Sequence, residues 1–362
     1  MKIALITVHH ANSYGGMLQA FATKEVLSQF GEVTFINYTS DHLANTMRIV
    51  NLSLSVRSFL RTAKNLARLF PRYRLLKKFR MFQEENFPQT ALLRNGLDLK
   101  AQEKEFDVFV CGSDQIWNPK ITEGFDEAYF LGFIENKKKV SFASSAGSYV
   151  YTAPEAVLVK QYLKSFSSIG VREEDLNDRM SLLLGRDDIT TVLDPTLLLS
   201  PQDWIEYFNI ELDDRIQPYL LVYALKISKN GYRAIELIAK QLGLRVLAID
   251  QEPFLRYKVD KHLNDVGPEE YLSLIANASF VVTDSFHGTA FSLNFNIPFI
   301  TISPSTGVNR VQTLLAAVGL EDRILINEKM PNLTFSFDDA NKKLVYLREK
   351  SLAFLESTMV DG

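Results

Sequence analysis

Short apolar runs rich in β-branched and aromatic residues alternate along the whole chain with longer stretches of helical period. Lys2–Val8, Val33–Asn37, Asp107–Cys111, Lys139–Ala143 and Ser168–Val171 predict strands in the first half; Tyr219–Leu225, Arg245–Ile249, Phe280–Thr283 and Phe299–Ile302 do so in the second. Between them Met17–Phe30, Tyr232–Leu242, Glu269–Asn277 and Gly288–Asn296 predict helices, and a last helix is expected over Asp339–Ser357. Such alternation implies parallel sheets, because a crossover helix returns each strand to the same direction. Two prolines in Val192-Leu-Asp-Pro-Thr-Leu-Leu-Leu-Ser-Pro201 interrupt the pattern and suit a crossing between domains. The expected fold is α/β, with two doubly wound Rossmann-like domains facing a cleft. They cover residues 1–200, with a basic helical insertion at 50–85, and 201–338, followed by a C-terminal helix, 339–362, packing across both.

Composition narrows the class without naming a function. At 46% apolar content, 362 residues suffice for two cores. A net charge of -3 offers no general attraction to nucleic acid, so none is expected as a partner. Cys111 is the one cysteine, which excludes an internal disulfide framework and a multi-thiolate zinc site. The five histidines take no paired metal-ligand spacing, and neither a metal nor a cofactor is expected. The run Ile3–Val8 is far shorter than a signal-peptide core, and no segment approaches the roughly 18 uncharged apolar residues of a spanning helix. A cytoplasmic location is expected.

Charge is nevertheless unevenly spread. From His42 to Gln83 there is no Asp or Glu, while Arg48, Arg57, Arg61, Lys64, Arg68, Arg72, Arg74, Lys77, Lys78 and Arg80 are all basic. On a helix Arg57, Arg61, Lys64 and Arg68 share one face, opposite an arc of Val56, Phe59, Leu60, Ala63, Leu66, Ala67 and Phe70. Three readings stand open. Residues 56–80 rest on an anionic membrane surface, which makes the protein peripheral at the inner face of the cytoplasmic membrane; they receive a pyrophosphate-bearing substrate; or they pack by the apolar arc and leave the basic face to water.

Three polar stretches follow predicted strands, where ligands gather in doubly wound sheets. The loop Asn12-Ser-Tyr-Gly-Gly16 precedes a helix, so its amides and Asn12, Tyr14, Gly15 and Gly16 suit an anion or a sugar; a tight turn without ligand is the alternative. In Cys111-Gly-Ser-Asp-Gln-Ile-Trp-Asn118, the polar groups of Ser113, Asp114, Gln115 and Asn118 beside the plate of Trp117 suit a carbohydrate ring. The alternative there is a self-bonded turn over a core tryptophan. His287 stands where the strand Phe280–Thr283 gives way to helix, beside Asp284 and Ser285. An imidazole there serves as acid and base next to an anionic substrate, or else it bonds a carbonyl while Asp284 and Ser285 cap the helix.

Four ordered segments carry a resemblance. They are Cys111-Gly-Ser-Asp-Gln-Ile-Trp-Asn118, Val171-Arg-Glu173, Val192-Leu-Asp-Pro-Thr-Leu-Leu-Leu199 and Val282-Thr-Asp-Ser-Phe-His-Gly-Thr289; with the Asn12-Ser-Tyr-Gly-Gly-Met-Leu-Gln19 opening, they resemble the polysaccharide pyruvyl transferase family. The resemblance spans residues 1 to about 325. It implies a GT-B-like pair of domains and transfer of pyruvate from phosphoenolpyruvate to two hydroxyls of a sugar, forming a ketal on a cell-surface glycan or its lipid-linked precursor. By the same resemblance His287 is the essential catalytic histidine, and Arg172 belongs to the anionic donor. Asp284 would orient His287, while Ser285, Gly288 and Thr289 would line the donor. Many members carry arginine where this chain has Ser285, and Arg310 is the candidate replacement, against the alternative of a surface salt bridge. Rival functions are a nucleotide-sugar glycosyltransferase of the same architecture and a glycan-binding protein without catalysis.

Overall fold

The structure, a computed structural model, describes residues 1–38, 58–93, 96–213, 215–227, 229–252, 255–302, 308–325 and 332–360. Among these, the strands form two six-stranded sheets. The first holds β1 (Lys2–Ile6), β2 (Glu32–Phe35), β3 (Val108–Cys111), β4 (Lys138–Ser144), β5 (Ser168–Val171) and β6 (Thr190–Thr191) in the order β2-β1-β3-β4-β5-β6. The second holds β7 (Tyr219–Tyr223), β8 (Arg245–Ile249), β9 (Lys261–Leu263), β10 (Phe280–Thr283), β11 (Phe299–Ile302) and β12 (Ile324–Leu325) in the order β12-β11-β10-β7-β8-β9. Every pairing is parallel. Helices cover both faces, so β3, β7 and β10 are buried along their length and read as continuous apolar runs. Strand order reverses between β1 and β3 in one sheet and between β7 and β10 in the other, and ligands of such sheets bind beyond the carboxyl ends at those points.

Compactness divides the chain into Met1–Thr46, Gln83–Leu199 and Lys343–Gly362 as one unit, and Met47–Phe82 and Ser200–Lys342 as the other. Most of the long helix α2 (Ser58–Asn86), which follows α1 (Tyr14–Leu27), therefore belongs with the second sheet. Leu75, Leu76, Phe79 and Phe82 are its buried face. Arg74 pairs with Asp265 at 2.6 Å, Lys78 with Glu270 at 2.7 Å, and Arg72 donates to Gln251 at 3.1 Å. Part of the basic face is thus satisfied within the unit. The face of Arg57, Arg61, Lys64 and Arg68 lies outside the described side chains, as does Arg48. In the first unit the last helix, α4, preceded by α3 (Phe286–Asn294) and spanning Asp338–Val360, places Phe354 against Phe142, with ring centroids 6.4 Å apart. It also presents Ser351 Oγ to the Leu193 N–H at 2.9 Å. Among the described residues no helix is long and apolar enough to cross a membrane.

Two expected boundaries shift. β1 stops at Ile6, short of the expected Val8, and the loop beyond it brings the rings of His9 and His10 to 3.9 Å. α1 starts at Tyr14 because Ser13 caps it, which places Gly15 and Gly16 in the first helical turn rather than in a free loop. His9 is fully buried, its Nδ1 2.8 Å from the Thr7 carbonyl oxygen, and Gln83 Nε2 lies 2.7 Å from His10 Nδ1. Burial, and then the neighbouring His10, hold the His9 pKa well below the ordinary histidine value; burial likewise lowers His10 to about 4. Both rings are neutral at pH 7. The unfolded chain takes up protons near 6.5 and the folded chain does not, so this stabilisation is complete above that pH and is lost as pH falls toward 4. Melting temperature should therefore drop steeply between pH 6.5 and about 4, and His10→Gln should flatten that limb; a wild-type profile level across this window would refute the assignment.

Candidate active site

In the second unit β10 runs buried to Thr283 and passes through Asp284 into α3. Ser285 is the N-cap, its Oγ accepting from the Gly288 N–H at 3.4 Å, and the Ser285 N–H donates to Thr283 Oγ1 at 3.0 Å. A Cβ on Gly288 would stand 2.3 Å from Thr283 Oγ1, so this close turn admits only glycine. The Asp284 carboxylate accepts from the backbone N–H groups of Leu225 at 2.6 Å and Lys226 at 2.7 Å. Burial raises its pKa against the lowering effect of those two bonds. Asp284 thus staples the segment after β7 to the end of β10. His287 opens α3, nine-tenths buried, with its ring edge-on to Phe286 at 5.1 Å. The Arg310 guanidinium lies over that same Phe286 ring at 5.6 Å, which brings the candidate replacement to the start of α3. Thr289, expected at the donor, is fully buried and shares its hydroxyl between Thr301 Oγ1 at 2.8 Å and the Ser285 carbonyl oxygen. It is a packing residue between α3 and β11, and the Gly288 amide serves the cap.

In the first unit Arg172, just past β5, is enclosed by carboxylates. Its Nη1 is 2.6 Å from Asp194 Oδ2, its Nε 3.2 Å from Glu173 Oε1 and its Nη2 3.4 Å from Asp114 Oδ1. Ser145 donates to Glu173 at 2.6 Å, and Asp194 also accepts from the Thr196 N–H and hydroxyl. Burial would lower the Arg172 pKa, but the fields of Glu173, Asp194 and Asp114 outweigh it and hold the guanidinium above its ordinary value. One cation among three carboxylates does not present the open fork expected for an anionic donor. Asp114 alone of the four keeps appreciable exposure, 18% of its side chain against 3% for Arg172.

The turn carrying Asp114 corrects the expected sugar platform. Trp117 is 1% exposed, donates its indole N–H to the Tyr129 carbonyl oxygen at 3.0 Å and stacks on Phe130 at 5.4 Å, so it is a core residue. Ser113 is sealed, bonding Ala143 O at 3.2 Å, and Asn118 caps the Pro119–Thr122 turn while holding Gln115 at 2.9 Å. Asp114 and Gln115 remain half-buried at the surface, as does Asn12; Tyr14, Gly15 and Gly16 are buried at the start of α1. The Cys111 thiol is buried and its pKa is pushed up to about 12, so it stays an unreactive strand residue. Among the described residues no group of three or more His, Cys, Asp or Glu is arranged to hold a metal ion. Reading the sequence missed Glu173 and Asp194, both in the turns that follow strands; that position was the available signal.

The profile of the polysaccharide pyruvyl transferase family matches residues 14–306. No curated protein matches the chain. Among solved structures, the UDP-GlcNAc 2-epimerase of Neisseria meningitidis bound to UDP-GlcNAc is similar at TM-score 0.53 and 10% identity, covering 100% of this chain and 100% of its own. The UDP-GlcNAc 2-epimerase of Methanocaldococcus jannaschii is similar at TM-score 0.50 and 15% identity, covering 96% of this chain and 92% of its own. Likeness at that level concerns the fold, an α/β pair of Rossmann-like units of the GT-B type.

Arg172 generates a stability prediction that separates a clamp from a ligand. Arg172→Met leaves three carboxylates without their cation and should destabilise the protein by about 3–5 kcal/mol near neutral pH. In the variant, burial favours the protonated carboxyls, so the folded state binds more protons and the deficit should shrink toward pH 4–5. Thermal melts across that range test it, and a variant that melts like the wild type at pH 7 would mean the cluster is not a clamp.

Proposed function

The chain belongs to the polysaccharide pyruvyl transferase family, an enzyme family that transfers pyruvate onto polysaccharide, and from that premise we propose phosphoenolpyruvate as the donor and a ketal as the product. The observation that carries this reading is His287 at the mouth of α3, at the carboxyl end of a switch-point strand and beside the Arg310–Phe286 stack. The positive end of the helix and the Arg310 guanidinium receive the phosphate and carboxylate of the donor.

The reaction balances without a cofactor. The methylene carbon of phosphoenolpyruvate takes one proton, one sugar hydroxyl adds to the adjoining carbon, phosphate leaves, and the second hydroxyl closes the ketal. Of the two hydroxyl protons released, one replaces that delivered to the methylene and the other departs with phosphate. His287 delivers and recovers the proton, a role that an imidazole serves through its two ring nitrogens. Asp284, already held by two amides, fixes the turn that carries His287. On the acceptor side Asn12, Asp114 and Gln115 are the polar groups of the expected set that reach the surface. A lipid-linked acceptor at an anionic membrane face fits the exposed Lys77 and Arg80 of α2, whereas Arg74 and Lys78 are taken by ion pairs.

Saturation-transfer NMR should detect phosphoenolpyruvate on the purified protein, and His287→Ala should lower acceptor-dependent phosphate release by roughly 10² to 10⁴ while melting close to the wild type. Wild-type turnover in His287→Ala would remove the histidine from the mechanism. Binding of a nucleotide sugar in place of phosphoenolpyruvate would point to a glycosyltransferase instead.

A further inference from the structure

α2 shows water a face on which large apolar and basic side chains are mixed. Leu75, Leu76, Phe79 and Phe82 are buried on one side of the helix. Phe70, Tyr73, Arg74, Lys77, Arg80 and Met81 fall within an arc of about 120° on the opposite side, and all six are exposed. Phe70, which helical period alone places in the packed arc, is 66% exposed; Tyr73 and Met81 are exposed by 52% and 45%. The Arg74 guanidinium lies over the Phe70 ring at 4.6 Å without closing it off from water. One exposed apolar side chain is ordinary on a protein surface. Three large ones along a single arc, about 16 Å from first to last, form a stripe.

Charge selects the partner for that stripe. Asp265 answers Arg74 and Glu270 answers Lys78, whereas neither Lys77 nor Arg80 enters an ion pair among the described residues. The surplus on this arc is therefore positive. After His42 the first acidic residues are Glu84 and Glu85, in the last turn of α2. An apolar stripe flanked by surplus cations matches a surface that is anionic at its headgroups and hydrocarbon beneath them, with tyrosine at the boundary between the two. A nucleic acid would engage the cations but offers no hydrocarbon to Phe70 and Met81.

We propose that the outer face of α2 docks on an anionic lipid surface, with Phe70, Tyr73 and Met81 entering the boundary beneath the headgroups and Lys77 and Arg80 at the lipid phosphates. The assignment rests on the membrane-face acceptor proposed above and adds to it the side chains that insert; it is independent of the donor chemistry. Cations alone would be screened by salt, and three side chains alone remove little apolar surface from water, so the two contributions act together.

Co-sedimentation of the full chain with vesicles of phosphatidylglycerol mixed with phosphatidylcholine, against phosphatidylcholine alone, tests the assignment. The wild type should bind the mixed vesicles and weaken as salt rises. Lys77→Gln combined with Arg80→Gln should reduce partitioning roughly tenfold to thirtyfold. Phe70→Ser should reduce it roughly tenfold with melting temperature unchanged, because the ring is exposed. Trp117 and Trp204 are buried, so in Phe70→Trp the new indole is the one whose emission should respond to lipid. That emission should move to shorter wavelength on mixed vesicles and be quenched by brominated acyl chains. Wild-type partitioning in Phe70→Ser, with the Phe70→Trp indole still in water, would overturn the insertion and leave a membrane-bound acceptor standing. No binding of the wild type to mixed vesicles would overturn both. Equal binding to a short DNA duplex, insensitive to Phe70→Ser, would assign the face to polyanions in general and overturn the lipid assignment.

Discussion

Arg172 reaches groups beyond the carboxyl ends of three strands at once: Asp114 after β3, Glu173 beside it after β5, and Asp194 after β6. Glu173 extends the cluster to β4 through Ser145. These charges are sealed from water except at Asp114, and a buried charge is tolerated only while its partners stay in place. The turns that carry them therefore hold one relative position. The second unit solves the same problem without a cation. Asp284 takes its two bonds from backbone N–H groups after β7, and this keeps the entrance to α3 beside the end of β7. In each sheet, a buried carboxylate tied to a neighbouring strand end gives the carboxyl edge its shape.

The sheets were legible because strands covered on both faces must be apolar throughout, and runs such as Phe280–Thr283 and Tyr219–Tyr223 stand out from any amphipathic helix. Of the four edge strands only β2 was legible. β6 and β12 are two residues long and β9 is three, too short for periodicity to register. Element ends were also missed where the chain stays apolar past the last ladder bond, as beyond Ile6 and beyond Tyr223. The His287 turn was read correctly in outline because strand, cap and helix are contiguous in sequence. The Arg172 cluster was read only in part: its partners lie 58 and 22 residues away, and spacing along one chain carries no information about such distant contacts.

Trp117 and Asp114 show why residue type alone misplaces a site. They share one turn, and each suits a sugar by its chemistry. Gly112 at φ +121 and Asp114 at φ 70 take backbone conformations that L side chains rarely adopt, and in the resulting turn the Asp114 side chain retains exposure while Trp117 packs on Phe130. An aromatic plate in a polar stretch is worth more to the core, where it removes a large apolar surface from water, than to a ligand.

The same reasoning underlies the proposed choice between the two arginines as partners for an anionic donor. Arg172 with Asp114, Glu173 and Asp194 amounts to one positive and three negative charges, so a further anion would meet net repulsion there at a separation where screening by salt is weak. At the start of α3 the balance is reversed. The charge of Asp284 is already met by two amides, the helix end is positive, and the guanidinium of Arg310 lies over the Phe286 ring. An anion near Arg172 would add a fourth negative charge to three carboxylates, whereas the positive helix end beside His287 would oppose none, and the proposed donor site follows that difference.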